Sequence, residues 1–513
     1  MLMVLRSVDL AVVGAAIGLL FLIAWLTGRK ESDTRDFFLG RRKIPALVVC
    51  LSFVATEISA LTIISVPAQA FNENWRYLQF FIGSAVARVF VAFLFIPAFY
   101  KQNCTSIYEY LRDRFGRQTQ YTGAIFFFIT RLVASGIRLY VACMAIAAIL
   151  GWGLLQTLLL FTLISIAFIA LGGVKAVVWS GAYQAVIFFA AGAALIWFLL
   201  GEVEGGLGAA WHSAEAAGRL SIFDFRLDFN NATTFWAGTA NAFFVGLAVF
   251  GTDQELVQRL LTVETRGKSQ QAIIGTIAAA LPLLCLYLGI GTLLFVLYQQ
   301  QPQLPRAEDP NKIFPFFAAQ YLPMGLRGLF LAAVVLASID SPLSSLASSF
   351  VTDIYRPLCV KTATEKHYLI VSRGAVVAFG LLLLLIARLC VYVDNLLWFA
   401  FQIVSITGGA TLGIFLFGVL TRRKAAWGNV AAMLSSALLI GALLILGKRR
   451  PDLMPLAWSW LIVIGTALTF GLSYLFSLFP SRPRDKKMGK LPAQARQEIG
   501  QACTGLDFRT SYN

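Results

Sequence analysis

Residues 45–71 read PALVVCLSFVATEISALTIISVPAQAF. A run this long and apolar reads as a membrane-spanning helix, since a bilayer asks for about 20 mostly apolar residues. Its middle does not suit one: Ala55-Thr56-Glu57-Ile58-Ser59 places small groups, hydroxyls and a carboxylate where hydrocarbon is expected. Irregular backbone at that depth is tolerated only where it is buried in protein or lines a cavity, and there its freed carbonyls can hold an ion or a solute. A second long segment, 234–261, carries Gly246 and Gly251 at a comparable place. Paired interruptions in two halves of a chain point to an inverted repeat with a binding site near mid-membrane.

The composition agrees. Of 513 residues 58% are hydrophobic and only 13% charged, with a mean hydropathy of +0.75, so the chain uses the lipid bilayer as its solvent. Windows such as Leu10 to Leu26, Leu154 to Leu171 and Leu369 to Ala387 are long enough to span. Helices are expected near 9–27, 45–71, 76–100, 119–150, 154–171, 174–200, 234–261, 269–299, 325–355, 368–391, 395–420, 424–446 and 456–479. The fold class is thus an all-α polytopic membrane protein of about 13 transmembrane helices. Its expected parts are a leading helix and loop (1–44), a first repeat (45–200), an outer loop (201–233), a second repeat (234–420), two trailing helices (421–480) and a basic tail (481–513).

The formal charge of +16 does not signal nucleic acid, because Lys and Arg fall in short clusters between apolar runs. Alternate loops carry them: Arg35, Arg41 and Arg42; Arg112, Arg114 and Arg117; Arg259, Arg266 and Lys268; Arg356, Lys361 and Lys366; Arg422 and Arg423. The positive-inside rule puts those loops in the cytoplasm, the N-terminus outside and the C-terminus inside, in a plasma membrane or a bacterial inner membrane. Lys448, Arg449 and Arg450 break the pattern. Seven Cys lack any CxxC spacing and only two His are present, so metal and cofactor sites of the thiolate or imidazole kind are not expected. Neither a Ser/His dyad nor HExxH is visible, and no enzyme is read here.

An ionisable group at the centre of a bilayer costs about 2.5 to 3.5 kcal/mol, so each asks for a partner or a task. Glu57, Arg88, Arg131, Arg138 and Asp340 qualify. Either carboxylate could pair with an arginine as a structural bridge, or help bind a coupling ion. Sodium is a hard cation that takes about five or six oxygens. A broken helix offers carbonyls, and Ser338, Ser341, Ser344 and Ser345 offer hydroxyls around Asp340. Ser and Thr also pack spanning helices, which is the plainer reading of that run.

Several motifs in order carry a resemblance: DFFLG at 36–40, SVPAQAF at 65–71, SIYEYL at 106–111, Gly172-Gly173, DQELVQR at 253–259 and SSFVTDIY at 348–355. Together they resemble the sodium:solute symporter family over nearly the whole chain, in particular bacterial sodium/sialic acid and sodium/proline symporters. The resemblance implies the leucine-transporter fold, with two inverted five-helix repeats and sodium as coupling ion. It implies a main sodium site from the carbonyls of Ala55, Ile58 and Val334 and the hydroxyl of Ser338. Ala337 stands where the family usually has a second hydroxyl. Glu57 falls where sodium/proline symporters carry an acid, Gly181 replaces an Asp of a second sodium site found in some bacterial members, and Asp340 stands at another position of that same site, with Ser341 next to it as a further sodium ligand. Ser59 and Thr62 match substrate-contacting positions, whereas Glu57, Phe81 and Ala134 replace a Thr, a Gln and an Arg. Arg138, one turn from Ala134, would take over the pairing of a carboxylate, and Phe244 would line an aromatic pocket. The expected function is sodium-coupled import of a small organic anion, sugar or amino acid by alternating access. A proton-coupled transporter using Glu57 and Asp340, and a transporter-like sensor, stay open as alternatives.

Overall fold

A computed structural model describes residues 6–28, 33–307, 313–339, 342–360, 362–392, 396–423, 426–449 and 457–479. Asp340 and Ser341 lie outside the described residues. Among those described, eleven helices are long and apolar enough to cross a membrane, the pair Ala46–Glu57 and Thr62–Asn72 forms a further span bent by 61°, and Leu154–Ala170 is a shorter apolar helix. They fall on each stretch expected to span.

In chain order the elements used below are α1 (Ser7–Gly28), α2 (Ala46–Glu57), α3 (Ala60–Asn72), α4 (Tyr77–Lys101), α5 (Ile107–Phe115), α6 (Arg117–Leu150) and α7 (Leu154–Glu202). There follow α8 (Phe235–Thr252), α9 (Gln254–Leu261), α10 (Arg266–Gln300), α11 (Leu326–Ile339), α12 (Leu343–Ser349) and α13 (Glu365–Leu389). From α12 the chain runs on through a widened, π-helical turn, Phe350–Tyr355. The helix α7 is two spans in one run, bent where Gly173 takes φ 48°, ψ −147°, a conformation open to a residue without Cβ.

One expectation is corrected. Gly246 and Gly251 do not break the second long segment: α8 runs through both and stops at Thr252, and the turn lies at Asp253 with φ −101°, ψ 123°. Glycine in a membrane helix serves instead to bring two backbones together. A Cβ on Gly246 would sit 2.7 Å from the Cβ of Ala87, and one on Gly83 only 2.1 Å from the carbonyl oxygen of Thr239. The helices α4 and α8 therefore share a seam that admits no larger residue.

The leading helix is pinned rather than appended. Asp9 is fully buried, accepts hydrogen bonds from Gly325 N and Gly328 N at 3.0 Å, and is held by Arg327 through Nε at 3.1 Å and Nη2 at 2.9 Å. Between α7 and α8 the chain covers one end of the bundle. There Asp224 takes bonds from Arg226 Nε at 2.8 Å and Nη2 at 2.6 Å, with Arg76 at 3.3 Å. The Arg226 hydrogen bonds hold its carboxyl down at about 2.

Candidate functional site

The break between α2 and α3 is built by local chemistry. Ile58 (φ −84°, ψ 102°) ends α2, and Ser59 (φ −97°, ψ 170°) starts α3 in a reciprocal capping arrangement with Thr62. Ending a helix releases its last carbonyls. One of them, Thr56 O, accepts from Arg138 Nη2 at 2.8 Å, which brings the arginine of α6 onto the break.

Ala55, Ile58, Val334 and Ser338 are all buried. Ser338 Oγ donates to Val334 O at 2.7 Å. A cavity of about 40 Å³ opens beside them, and Ser59, Arg138, Ala337 and Ser338 all reach its wall. Three hydroxyls that sequence reasoning missed join them there: Ser135 of α6, with Thr162 and Ser165 of α7. The hydroxyls of Ser135 and Thr162 are buried and make no hydrogen bond within the protein, a condition that a polar ligand relieves. Leu139, Leu343 and Leu383 supply an apolar side. The cavity therefore offers one cation, several hydroxyls and a short aliphatic wall.

Other expected residues lie elsewhere. Thr62, Phe81 and Phe244 are not among the residues lining this cavity. The guanidinium of Arg88 lies 5.5 Å from the Phe81 ring, and Phe244 packs edge-on against Phe243 at 5.4 Å. Glu57 forms an ion pair with Arg88. That arginine is fully buried, donates to Ser84 Oγ at 2.9 Å and lies 4.5 Å from the Phe250 ring. A Cβ on Gly181 would approach Ser52 Oγ to 2.4 Å, and that hydroxyl accepts from Arg259 Nη1 at 2.7 Å. A side chain at position 181 would thus crowd Ser52 from its first carbon.

The second turn, at Asp253, has its own charge cluster. Arg131 pairs with Asp253 and, at 2.7 Å, with Glu255, while Arg259 lies 3.7 Å from Glu255. The two arginines balance two carboxylates, which is the condition for burying such a group. Beyond this cluster a wide vestibule of about 880 Å³ opens between Arg35, Arg112, Arg117 and Arg356, with Glu109 and Gln120 on its wall.

A sequence model of the family described as "Sodium:solute symporter family" matches residues 37–436. The chain belongs to the sodium:solute symporter family. As such it is a multi-pass membrane transporter coupled to sodium, not an enzyme. It is similar to the sodium/sialic acid symporter NanT of Aliivibrio fischeri, with 28% identity over 428 residues, 80% of this chain and 82% of that one. It is also similar to sodium-coupled monocarboxylate transporter 2 of Danio rerio, with 27% identity over 451 residues, 84% of this chain and 70% of that protein. Its fold matches the solved structure of a Na+-coupled sialic acid symporter in a substrate-bound outward-open state, with a TM-score of 0.83 at 24% identity, covering 93% and 98% of the two chains. That match places this symporter among transporters of the leucine-transporter type.

Proposed function

We propose that this symporter imports a small organic anion, a short monocarboxylate first of all, together with one sodium ion by alternating access. The observation that carries the reading is the cavity at the helix break: Arg138 on its wall, with the unpartnered hydroxyls of Ser135 and Thr162 beside it. The guanidinium suits a carboxylate, the hydroxyls suit a polar substituent, and the leucines suit a few methylenes. Ala134, in place of the arginine that the family resemblance leads one to expect, leaves this task to Arg138.

In this reading sodium takes the carbonyls of Ala55, Ile58 and Val334 and the hydroxyl of Ser338, with Asp340 and Ser341 as further oxygens. Ala337 subtracts one ligand, and the crowding at Gly181 argues for a single tightly held ion. The ion pair with Arg88 favours Glu57 as a fixed charge rather than a proton carrier. The two turns, at Ile58 and Asp253, sit in repeats 45–200 and 234–420, related by inversion. The arginine-rich vestibule faces the cytoplasm, with the N-terminus outside.

The test is uptake into proteoliposomes of acetate, propionate, lactate, sialic acid, glucose and proline, with sodium or choline outside. Sodium-dependent uptake of a short acid is expected, and uptake of glucose or proline alone would overturn the reading. A monoanion with one sodium moves no net charge. Uptake should therefore ignore the membrane potential, whereas a neutral or zwitterionic solute would gain about 2.3 kcal/mol per 100 mV.

A further inference from the structure

Asp353 is a carboxylate with no task in the site described so far. It lies in the π-helical turn Phe350–Tyr355, fully buried inside a membrane span. Ser106 Oγ donates to it at 2.5 Å, Ser349 Oγ at 2.6 Å and Gln120 Nε2 at 2.8 Å. These three groups surround the carboxyl with partners able to donate to its ionised form, which only accepts. A buried ion asks for a counter-charge. Among the described residues no arginine or lysine lies within ion-pair distance of it, and Arg112 is engaged by Asp113 at 2.9 Å and Glu109 at 3.6 Å.

Other oxygens nearby are also unsatisfied. The Oε1 of Gln120, on the same amide that binds Asp353, is buried without a partner, and so are the hydroxyls of Ser344 and Ser348. These serines precede Asp353 on the same membrane span, Leu326–Leu358. Gln120 and Thr352 line the vestibule. Unpartnered buried oxygens thus stand on α12 at Ser344 and Ser348 and on α6 at Gln120, and Gln120 joins the Asp353 carboxyl group to the vestibule wall.

We infer that Asp353, Gln120 Oε1 and Ser348 form a second, weak site for the sodium ion, through which it leaves the break for the vestibule. The carboxylate keeps a free lone pair, the amide and hydroxyl add two oxygens, and vestibule water completes the shell that a hard cation needs. The site rests on the reading of Ser338 as the first sodium site and of the vestibule as the exit.

The first measurement is equilibrium binding of 22Na+ to the purified full-length protein, which needs no knowledge of the solute. Two classes are expected, the tighter lost in Ser338→Ala and the weaker lost in Asp353→Asn. A second variant separates binding from folding. The Ser348 hydroxyl makes no hydrogen bond, so Ser348→Ala should leave thermal stability unchanged yet weaken the weaker class about threefold, roughly 0.65 kcal/mol at 1.4 kcal/mol per tenfold. In proteoliposomes Asp353→Asn should slow net sodium-driven propionate uptake at least tenfold, while propionate exchange at equal sodium on both sides stays near wild type. A single binding class untouched by Asp353→Asn overturns the inference, as does an equal loss of net uptake and exchange. Two sodium classes without any transported acid would instead overturn the solute reading and leave this site standing.

Discussion

Replacing Glu57 by Gln tests how the break is held. The fully buried Arg88 then loses its carboxylate and keeps only Ser84 Oγ and the Phe250 face. Breaking a buried pair from one side costs about 3 to 5 kcal/mol, because the remaining charge is stranded. The retained hydrogen bond and ring contact, and the 26% exposure of the Glu57 side chain, which lets water approach, place the expectation near the lower end. We expect about 3 kcal/mol for Glu57→Gln. Arg88→Met should cost less, about 1 kcal/mol, since the carboxylate left behind is the partner that water can reach. The double variant should recover most of the loss, because it removes both charges and leaves neither one stranded at the break. A reversible unfolding titration in mixed micelles, run as a double-mutant cycle, reads the coupling. If Arg88→Met is the costlier single change, or the two losses simply add, the pair is not what holds the break.

Three further outcomes follow from the geometry. Ser338→Ala should raise the half-saturating sodium concentration about tenfold, or 1.4 kcal/mol, and Ala337→Ser should lower it; both are read from sodium titrations of uptake, and no change in either would remove this pair from the sodium site. Gly181→Asp should reduce the folded yield in size-exclusion chromatography rather than add a second sodium ion, because its Cβ would meet Ser52 Oγ at 2.4 Å; a well-folded variant with steeper sodium dependence would contradict this. The folded carboxyl of Asp224, held at about 2, lies below the ordinary value of about 4. Its contribution is therefore full above pH 4 and lost as the pH falls through 2, so limited proteolysis of the segment between α7 and α8 should be flat from pH 5 to 8 in wild type, with Asp224→Asn cleaved faster throughout.

The spans were legible because lipid imposes one requirement, length of apolar chain, that local sequence answers alone. The first break was legible for a similar reason, since Thr56, Glu57 and Ser59 have no cause to sit in hydrocarbon. The second was misplaced because glycine reads as a breaker. At Gly246 it makes room for Ala87 of a distant helix, and only the tertiary neighbour tells the two uses apart. A local signal for the true turn was present: Asp253 caps α9 by accepting from Glu255 N at 2.9 Å, a common helix-start chemistry. Pairings across the fold were not legible. Sequence offered three arginines for Glu57, and spacing could not choose Arg88 over Arg131 or Arg138. Ser135 and Thr162 were passed over because a hydroxyl in a spanning helix usually bonds its own backbone, as Ser338 does. Asp353 was read only as part of a motif, since what sets it apart is that no arginine or lysine among the described residues comes within ion-pair distance of it.

The pin at Asp9 has a consequence in time. Its partner amide at Gly325 lies 316 residues later in the chain. At 5 to 20 residues per second, synthesis leaves the acid waiting roughly 15 to 60 s before that partner exists. Throughout that interval α1 must stay at the membrane boundary with its carboxylate hydrated or guarded by the insertion machinery. It can seat fully only once Arg327 arrives, so completion of the leading helix waits on a segment from the second half of the chain.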